Sequence, residues 1–408
     1  MINKILIASG SRHTVPPLKH SPGVARIIYT LANHIDRDKY QIRVISKDHL
    51  DLAQLDFNTG IFLHPKVNLK TSILKHFLNK MPYRILKKTY GFTQVDRILY
   101  YTGLVNLAKQ EKPDLVITFM HFELFKMLIK ALPNSKHVYF FRSTDLNGRI
   151  GKENMRYLIK HSSGFLANTK EPIKELKQFK TISFPTQTIY NSTPEQTKTN
   201  RVLVNTRKEI RSKFNITNDT VVIGFAGRFS EEKSLFELFE AIKEKRNRGL
   251  NYQILIAGDI KNEKTPNHNY FEKLKNFEAK FLKNAVHWMG WVTHADLHLF
   301  YTAIDFAAVL SKYREGNSMF LLEALSYGKP VIATAIGGNQ EAITNNKNGF
   351  LIQSTSIQKE LVAALTHVEN NKGMYEEWSQ NALAYIQQEH SEQIMINKFN
   401  CFLDKIKS

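Results

Sequence analysis

The second half of the chain repeats one pattern: a short apolar run, a turn, then a longer stretch with apolar residues at helical spacing. Strands are predicted at Val221 to Gly227, Tyr252 to Gly258, Ala285 to Met289, Ile304 to Val309, Pro330 to Thr334 and Gly349 to Ile352. Between them Ser234 to Lys245, Tyr270 to Leu282 and Ser318 to Tyr327 read as helices, and Gly338 to Thr344 opens a shorter one. Thr293 is the predicted N-cap, with Asp296 at N3, of a helix ending near Thr302. Hairpin turns are missing from the pattern. Short apolar strands alternating with helices predict parallel sheets covered on both faces.

The first half carries the same alternation less clearly. Its strands are expected at Lys4–Ser9, Gln41–Ser46, Leu115–Phe119, His137–Phe141 and Gly164–Asn168, with helices such as Gly23–His34 and Asp96–Gln110 between them. The polar run from Thr193 to Lys208 has few apolar anchors and reads as a linker. This gives an N-terminal Rossmann-like domain over 1–190 and a second one over 191–387. The tail, apolar at helical spacing from Ser391 to Ile406, is expected to cross back to the first domain as a helix within 388–408. Ligands of open α/β sheets sit beyond the carboxyl ends of the strands. Two such domains facing each other would form one cleft.

Composition refines this picture at four points. The 408 residues suit two domains, and a 42 % hydrophobic content is enough for two cores. The single cysteine, Cys401, excludes an intramolecular disulfide and fits a reducing cytoplasm. The apolar start is too short for a signal peptide, and no stretch reaches the length of a membrane span, so the expected location is cytoplasmic or peripheral on the inner face of the membrane. A formal net charge of +20 points to an acidic partner, whether nucleic acid, anionic lipid or a phosphorylated small molecule, or to a merely basic surface.

Candidate chemistry gathers after strands. Glu315 and Glu323 stand eight positions apart in a loop running into a helix. On a continuous helix that is a rise of about 12 Å, too far for two carboxylates to flank one scissile bond. The spacing suits two ends of one ligand, with the backbone N–H groups of Asn317, Ser318 and Met319 at a helix N-terminus between them as an anion site. The alternative is a solvated loop glutamate and a capping one. Earlier in the half, Gly227 permits close backbone approach, Arg228 offers a bidentate fork and Lys233 a point charge, unless both cations are simply solvated.

These motifs, with others in a fixed order, resemble the family-four retaining glycosyltransferases of the GT-B fold. The resemblance runs through Ser21-Pro22-Gly23-Val24-Ala25-Arg26, Lys112-Pro113-Asp114-Leu115-Val116, Ala167-Asn168-Thr169-Lys170 and Ile189-Tyr190-Asn191-Ser192. It continues through Gly227-Arg228 with Glu232-Lys233, Ala257-Gly258, Gly290-Trp291-Val292 and Glu315 to Glu323. Gly328 to Thr334, Gly337 to Glu341 and Asn348 to Leu351 complete it. It implies a nucleotide-sugar donor, with Arg228 and Lys233 on the diphosphate, Glu315 near the sugar hydroxyls and Glu323 accepting from the ribose. Gly227, Gly316, Asn317, Ser318 and Met319 would supply close approach or backbone contacts, and Gly23 would let the first-domain loop reach the diphosphate. Gly290 and Trp291 fall where the family contacts the base. The catalytic set would be Arg228, Lys233 and Glu315. Two side-chain cations meeting the leaving-group charge require no metal, so no cofactor is expected. UDP is favoured as the donor nucleotide on family frequency, and the implied outcome is retention, with a glycan or lipid-linked acceptor in cell-surface polysaccharide synthesis.

The sequence departs from that family at one place. Where many members carry a histidine after the strand matching His137–Phe141, this chain has Arg142, which could meet an acidic sugar or a phosphate. His121, after Phe119-Met120, is a second candidate for sugar or acceptor contact, or a structural histidine. His294 and His298 lack a third ligand and read as surface residues. Between Lys66 and Tyr90, seven Lys and Arg residues interleave with Ile73, Leu74, Phe77, Leu78, Met81, Ile85 and Leu86, without an acid. That suits an anionic membrane surface, or equally a helix packed by one stripe with a solvated face. No nucleic-acid motif accompanies the charge, so nucleic acid is not an expected partner. Two rival readings stay open: a sugar-nucleotide-binding partner subunit without turnover, and a UDP-sugar epimerase of the same fold.

Overall fold

The computed structural model describes residues 2–18, 23–66, 69–90, 93–193, 200–258, 267–293 and 296–407. Ser21, Pro22, the linker residues 194–199 and His294 lie outside the described residues. The chain forms two compact units. One is Met1–Tyr190 with Met395–Ser408, and the other is Asn191–Ile394.

The first unit is built on a parallel sheet of β1 (Lys4–Ala8), β2 (Gln41–Ile45), β3 (Phe62–Leu63), β4 (Leu115–Phe119), β5 (Lys136–Phe141), β6 (Gly164–Ala167) and β7 (Thr186–Thr188), in the order β3-β2-β1-β4-β5-β6-β7. Its central strands are buried on both faces, which is why they are continuous apolar runs rather than alternating ones. Asp114 fixes the start of β1 by accepting from the backbone N–H groups of Asn3 and Lys4 at 2.9 and 2.8 Å. The C-terminal helix Glu392–Lys407 lays Phe399, Phe402, Leu403 and Ile406 into the core of this unit, beside Ile5, Leu115 and Val138. Burying four such side chains contributes several kcal/mol, about 1.5–3 kcal/mol each.

The second unit repeats the plan with β8 (Val221–Ala226), β9 (Tyr252–Ala257), β10 (Val286–Gly290), β11 (Phe306–Val309), β12 (Val331–Thr334) and β13 (Gly349–Ile352), in the order β10-β9-β8-β11-β12-β13. In each sheet the strand order reverses once, between β1 and β4 and between β8 and β11. At such a switch point the loops leaving two neighbouring strands diverge and open a crevice at their carboxyl ends.

Two expectations are corrected here. The polar run up to Lys208 is a linker only in part, because Asn200–Lys213 is a helix. Ile210 anchors it in the core, and the rest of its anchoring is ionic. Arg207 and Arg211 reach Asp305 at 2.5 and 2.7 Å, Arg211 also donates to the Ala303 carbonyl at 3.0 Å, and Asp305 accepts from the Val222 N–H at 2.8 Å. Arg211 is almost fully buried, so the pairing is what makes its burial tolerable. The helix expected from Thr293 starts later, at Leu297–Ala303, with Asp296 at the N-cap position but making no side-chain cap; the Thr293 hydroxyl donates to the Asp296 carboxylate at 2.5 Å.

Candidate functional site

The crevice between β8 and β11 collects most of the charged candidates of the second unit. After β8 the chain turns at Gly227, whose φ of 148° is open to glycine and strained for a side chain. Arg228 follows, exposed to solvent, and the 3-10 turn Glu231–Lys233 then hands over to the helix Leu235–Asn247. Lys233 points back across the crevice. Its ammonium pairs with the Glu315 carboxylate, lies 3.4 Å from the Ser311 hydroxyl and sits 5.3 Å from the centre of the Tyr313 ring. Ser311, the second residue after β11, also donates to Glu315 and is itself held where Thr334 donates to its carbonyl at 2.7 Å. Glu315 is thus a half-hidden carboxylate, 11 % exposed, with a cation and a hydroxyl on it.

The backbone of Glu315 is equally constrained. The Gly338 N–H donates to its carbonyl at 2.9 Å. Gly337, at φ 58°, packs so closely that a Cβ there would lie 2.2 Å from the Glu315 carbonyl oxygen. The loop after β12 therefore acts as a template for the one after β11. Asn317 is buried and accepts two hydrogen bonds from Asn191, from its backbone N–H at 2.7 Å and its side-chain amide at 2.6 Å. Gly316, Asn317 and Ser318 then lead into the helix Met319–Ser326, with Ser318 as N-cap accepting from the Leu321 N–H. Glu315 and Glu323 are consequently not two points on one helix. The first lies in the loop before the cap and the second a turn inside the helix, so the 12 Å rise of an unbroken helix does not describe them. Glu323 accepts from the Tyr301 hydroxyl at 2.7 Å. Burial first, and the Glu323 charge second, hold the Tyr301 phenol far above its usual range, so it stays a donor.

The remaining candidates belong to the first unit. Gly23 opens the helix Gly23–His34. His121 lies just after β4 and Arg142 just after β5. The His121 ring rests against Gly10, 6.3 Å from the His13 ring and 5.8 Å from that of Tyr101. Burial lowers both histidines to about 4, helped for His13 by His121, Arg142 and Arg12, and for His121 by Arg97 and Arg12. Both are neutral at pH 7. Arg142 is buried over the Phe140 ring, 5.3 Å away, and burial lowers it to about 10, so it remains a cation. His298 is half-buried on its helix, while Trp291 is exposed after β10.

Sequence reasoning missed Ser311, Tyr301, Arg12 and His13. Ser311 and the Gly10–His13 loop each follow a strand at a switch point, which is a usable signal. Tyr301 reaches Glu323 from another helix, and nothing local announces it.

Residues 206–384, which contain the whole β8–β11 crevice, match the model of the glycosyl transferases group 1 family. That segment is similar to the group 1 glycosyl transferases. The chain is 21 % identical over 322 residues to the lipopolysaccharide 1,2-N-acetylglucosaminetransferase of Salmonella typhimurium, covering 77 % of this chain and 80 % of that one. Capsular polysaccharide biosynthesis glycosyltransferase CapM of Staphylococcus aureus is 23 % identical over a segment covering 46 % of this chain and 48 % of CapM. The fold is similar to that of Anabaena Alr3699/HepE in complex with UDP-glucose, with a TM-score of 0.70, 19 % identity, and coverage of 98 % of this chain and 99 % of that one. The two parallel α/β sheets are those of a GT-B glycosyltransferase, and the chain is an enzyme that uses a nucleotide sugar.

Proposed function

We propose that the protein is a retaining glycosyltransferase that moves a sugar from a UDP-sugar to a glycan or lipid-linked acceptor in cell-surface polysaccharide synthesis. The observation that carries this reading is the joining of Lys233 to Glu315 across the β8–β11 crevice, next to the helix mouth at Ser318 and one turn from the Tyr301–Glu323 pair. In the proposal, Arg228, Lys233 and the N–H groups of Asn317, Ser318 and Met319 receive the diphosphate. The C1–O bond breaks and its electron pair passes to the β-phosphate, the acceptor hydroxyl oxygen bonds to C1 on the same face and gives its proton to the departing phosphate, and these fixed cations and dipoles meet the growing charge without needing to reorganise. Glu315, freed from Lys233 as the cation turns to the phosphate, accepts from the sugar hydroxyls, and Glu323 accepts from the ribose. Two side-chain cations at the leaving group supply what a divalent ion would otherwise supply, so we propose metal-independent turnover.

The preference for UDP and for an envelope acceptor draws on the relatives: HepE was solved with UDP-glucose, and the Salmonella and Staphylococcus enzymes are named for lipopolysaccharide and capsule. Thermal shifts with a panel of UDP-, GDP- and ADP-sugars test the reading, because a ligand that prefers the folded state raises its stability. A UDP-sugar should raise the melting temperature and Glu323→Ala should abolish the rise. An unchanged rise in that variant would place the donor elsewhere.

A further inference from the structure

The basic stretch after β3 forms two helices, Leu69–Asn79 and Tyr83–Tyr90, whose apolar stripe is only partly covered by the rest of the unit. Leu78 and Leu86 are buried against Ile98 of the helix Val95–Glu111, with Leu74 and Met81 beside them. That satisfies the inward face. A second set of large apolar side chains points outward: Ile73, Phe77 and Tyr83 are 63 %, 61 % and 62 % exposed, and Ile85 is 45 % exposed. Exposed Lys75, Lys80, Arg84 and Lys87 interleave with this outer set. Each helix therefore carries one wide apolar stripe, and packing within the unit covers only part of it. Clustered exposed apolar side chains mark a surface meant to be covered. Apolar groups ringed by long cationic ones fit a plane that is apolar beneath and anionic above.

The same element borders a cavity of about 980 Å³. Leu74 and Lys75 of the first helix line it together with Lys47, which follows β2, and His64 and Lys66, which follow β3. Asn106 and Gln110 add amide groups from the helix Val95–Glu111. The cavity lies at the carboxyl ends of its strands, where an α/β sheet places its ligands. Asp48 and Asp96 also line it, and Asp96 pairs with Lys75 at 2.8 Å, so Lys47 and Lys66 are the cations that suit a phosphate, while the amides suit hydroxyl groups.

We propose that the helix pair 69–90 is a docking face for an anionic lipid bilayer, and that the adjoining cavity receives the phosphate-bearing head of a lipid from that bilayer. Ile73, Phe77, Tyr83 and Ile85 enter the acyl boundary, the basic side chains lie in the plane of the head groups, and Lys47 and Lys66 meet the phosphate. Describing that lipid as the acceptor rests on the glycosyltransferase reading; the docking does not.

The test is flotation of the full chain with three kinds of vesicle: phosphatidylcholine alone, phosphatidylcholine with phosphatidylglycerol, and phosphatidylcholine doped with a polyprenyl phosphate. The wild type should float with both anionic kinds and stay behind with phosphatidylcholine alone. Ile73→Asp/Phe77→Asp should lower the bound fraction on either anionic kind by about tenfold or more, since each loses a large apolar group from the interface. Lys47→Glu/Lys66→Glu should lower binding to the polyprenyl phosphate vesicles more than to the phosphatidylglycerol ones. An unchanged melting temperature shows that the substituted chains fold, because none of the four positions is in the core. An unchanged UDP-glucose shift separates failure of docking from failure of the donor site. Flotation that survives Ile73→Asp/Phe77→Asp is mere adsorption of a basic chain and overturns the docking face, as does failure of the wild type to float. Equal losses on both anionic vesicles in Lys47→Glu/Lys66→Glu overturn the role of the cavity.

Discussion

Replacing Lys233 by Met separates the two things its ammonium does. It holds the Glu315 carboxylate, and in our proposal it also receives the diphosphate. The pair is partly shielded, with side-chain exposures of 21 % and 11 %. Breaking a fully buried pair costs about 3–5 kcal/mol, and an exposed pair is worth less than about 1 kcal/mol. Ser311 still donates to Glu315 once Lys233 is gone. An intermediate cost of about 1–2 kcal/mol is therefore expected, a fall in Tm of about 2–8 °C for a unit of this size. Loss of one charge-assisted hydrogen bond to the donor should weaken UDP-sugar affinity by about 1.5–3 kcal/mol, or roughly tenfold to a hundredfold. Loss of a donor at the developing charge should lower kcat by a further factor of about 10²–10³. Adding Glu315→Gln removes the stranded carboxylate and should restore most of the stability while leaving affinity and turnover low. Urea denaturation, calorimetric titration with the UDP-sugar and UDP release measure the three quantities. Wild-type affinity in Lys233→Met, or recovered affinity in the double variant, would refute the assignment of Lys233 to the phosphate.

Three further outcomes follow. Asp305→Ala leaves the nearly buried Arg211 without its counter-charge and should destabilise the second unit by about 3–5 kcal/mol in urea denaturation, whereas a loss below about 1 kcal/mol would show that the carbonyls of Ala303, Thr217 and Thr220 suffice. His13 and His121 have folded-state values of about 4, below the ordinary 6.5, so the unfolded chain takes up protons first as pH falls; stability should be lost from about pH 6.5 down to about pH 4, and a slope unchanged in His121→Gln would contradict that source. If Glu323 accepts from the ribose, wild-type enzyme should bind UDP better than its 2′-deoxy analogue and Glu323→Ala should lose the difference, with Tyr301→Phe intermediate because the carboxylate loses its orienting hydroxyl; equal discrimination in all three proteins would remove Glu323 from the ribose.

The parts of the fold legible in the sequence were those whose cause is local. β8, β9 and β11 are runs of apolar residues buried on both faces, and the turn at Lys112-Pro113 stops a helix by its own chemistry, with Lys112 in the left-handed region. β3 is only two residues long and β7 is the half-buried polar run Thr186–Thr188, so neither announces itself by periodicity. The helix Asn200–Lys213 was unreadable for a different reason: its stabilising partner, Asp305, lies almost a hundred positions away. In the candidate site, the glutamates and cations stood out because charge after an apolar strand is conspicuous. Their positioning did not, because it comes from Gly337 against the Glu315 backbone and from Tyr301 on another helix. Likewise, the sequence offered a basic amphipathic stretch, but only the fold distinguishes the apolar residues that face Ile98 from those that face outward.

A crystal structure of the protein with UDP bound bears most directly on the donor site. The account predicts the β-phosphate within hydrogen-bonding distance of Arg228 and Lys233 and of the N–H groups leading into Met319–Ser326, Glu315 released from Lys233, and the ribose hydroxyls on Glu323. Density for UDP away from the β8–β11 crevice, with the Lys233–Glu315 pair intact, would contradict it.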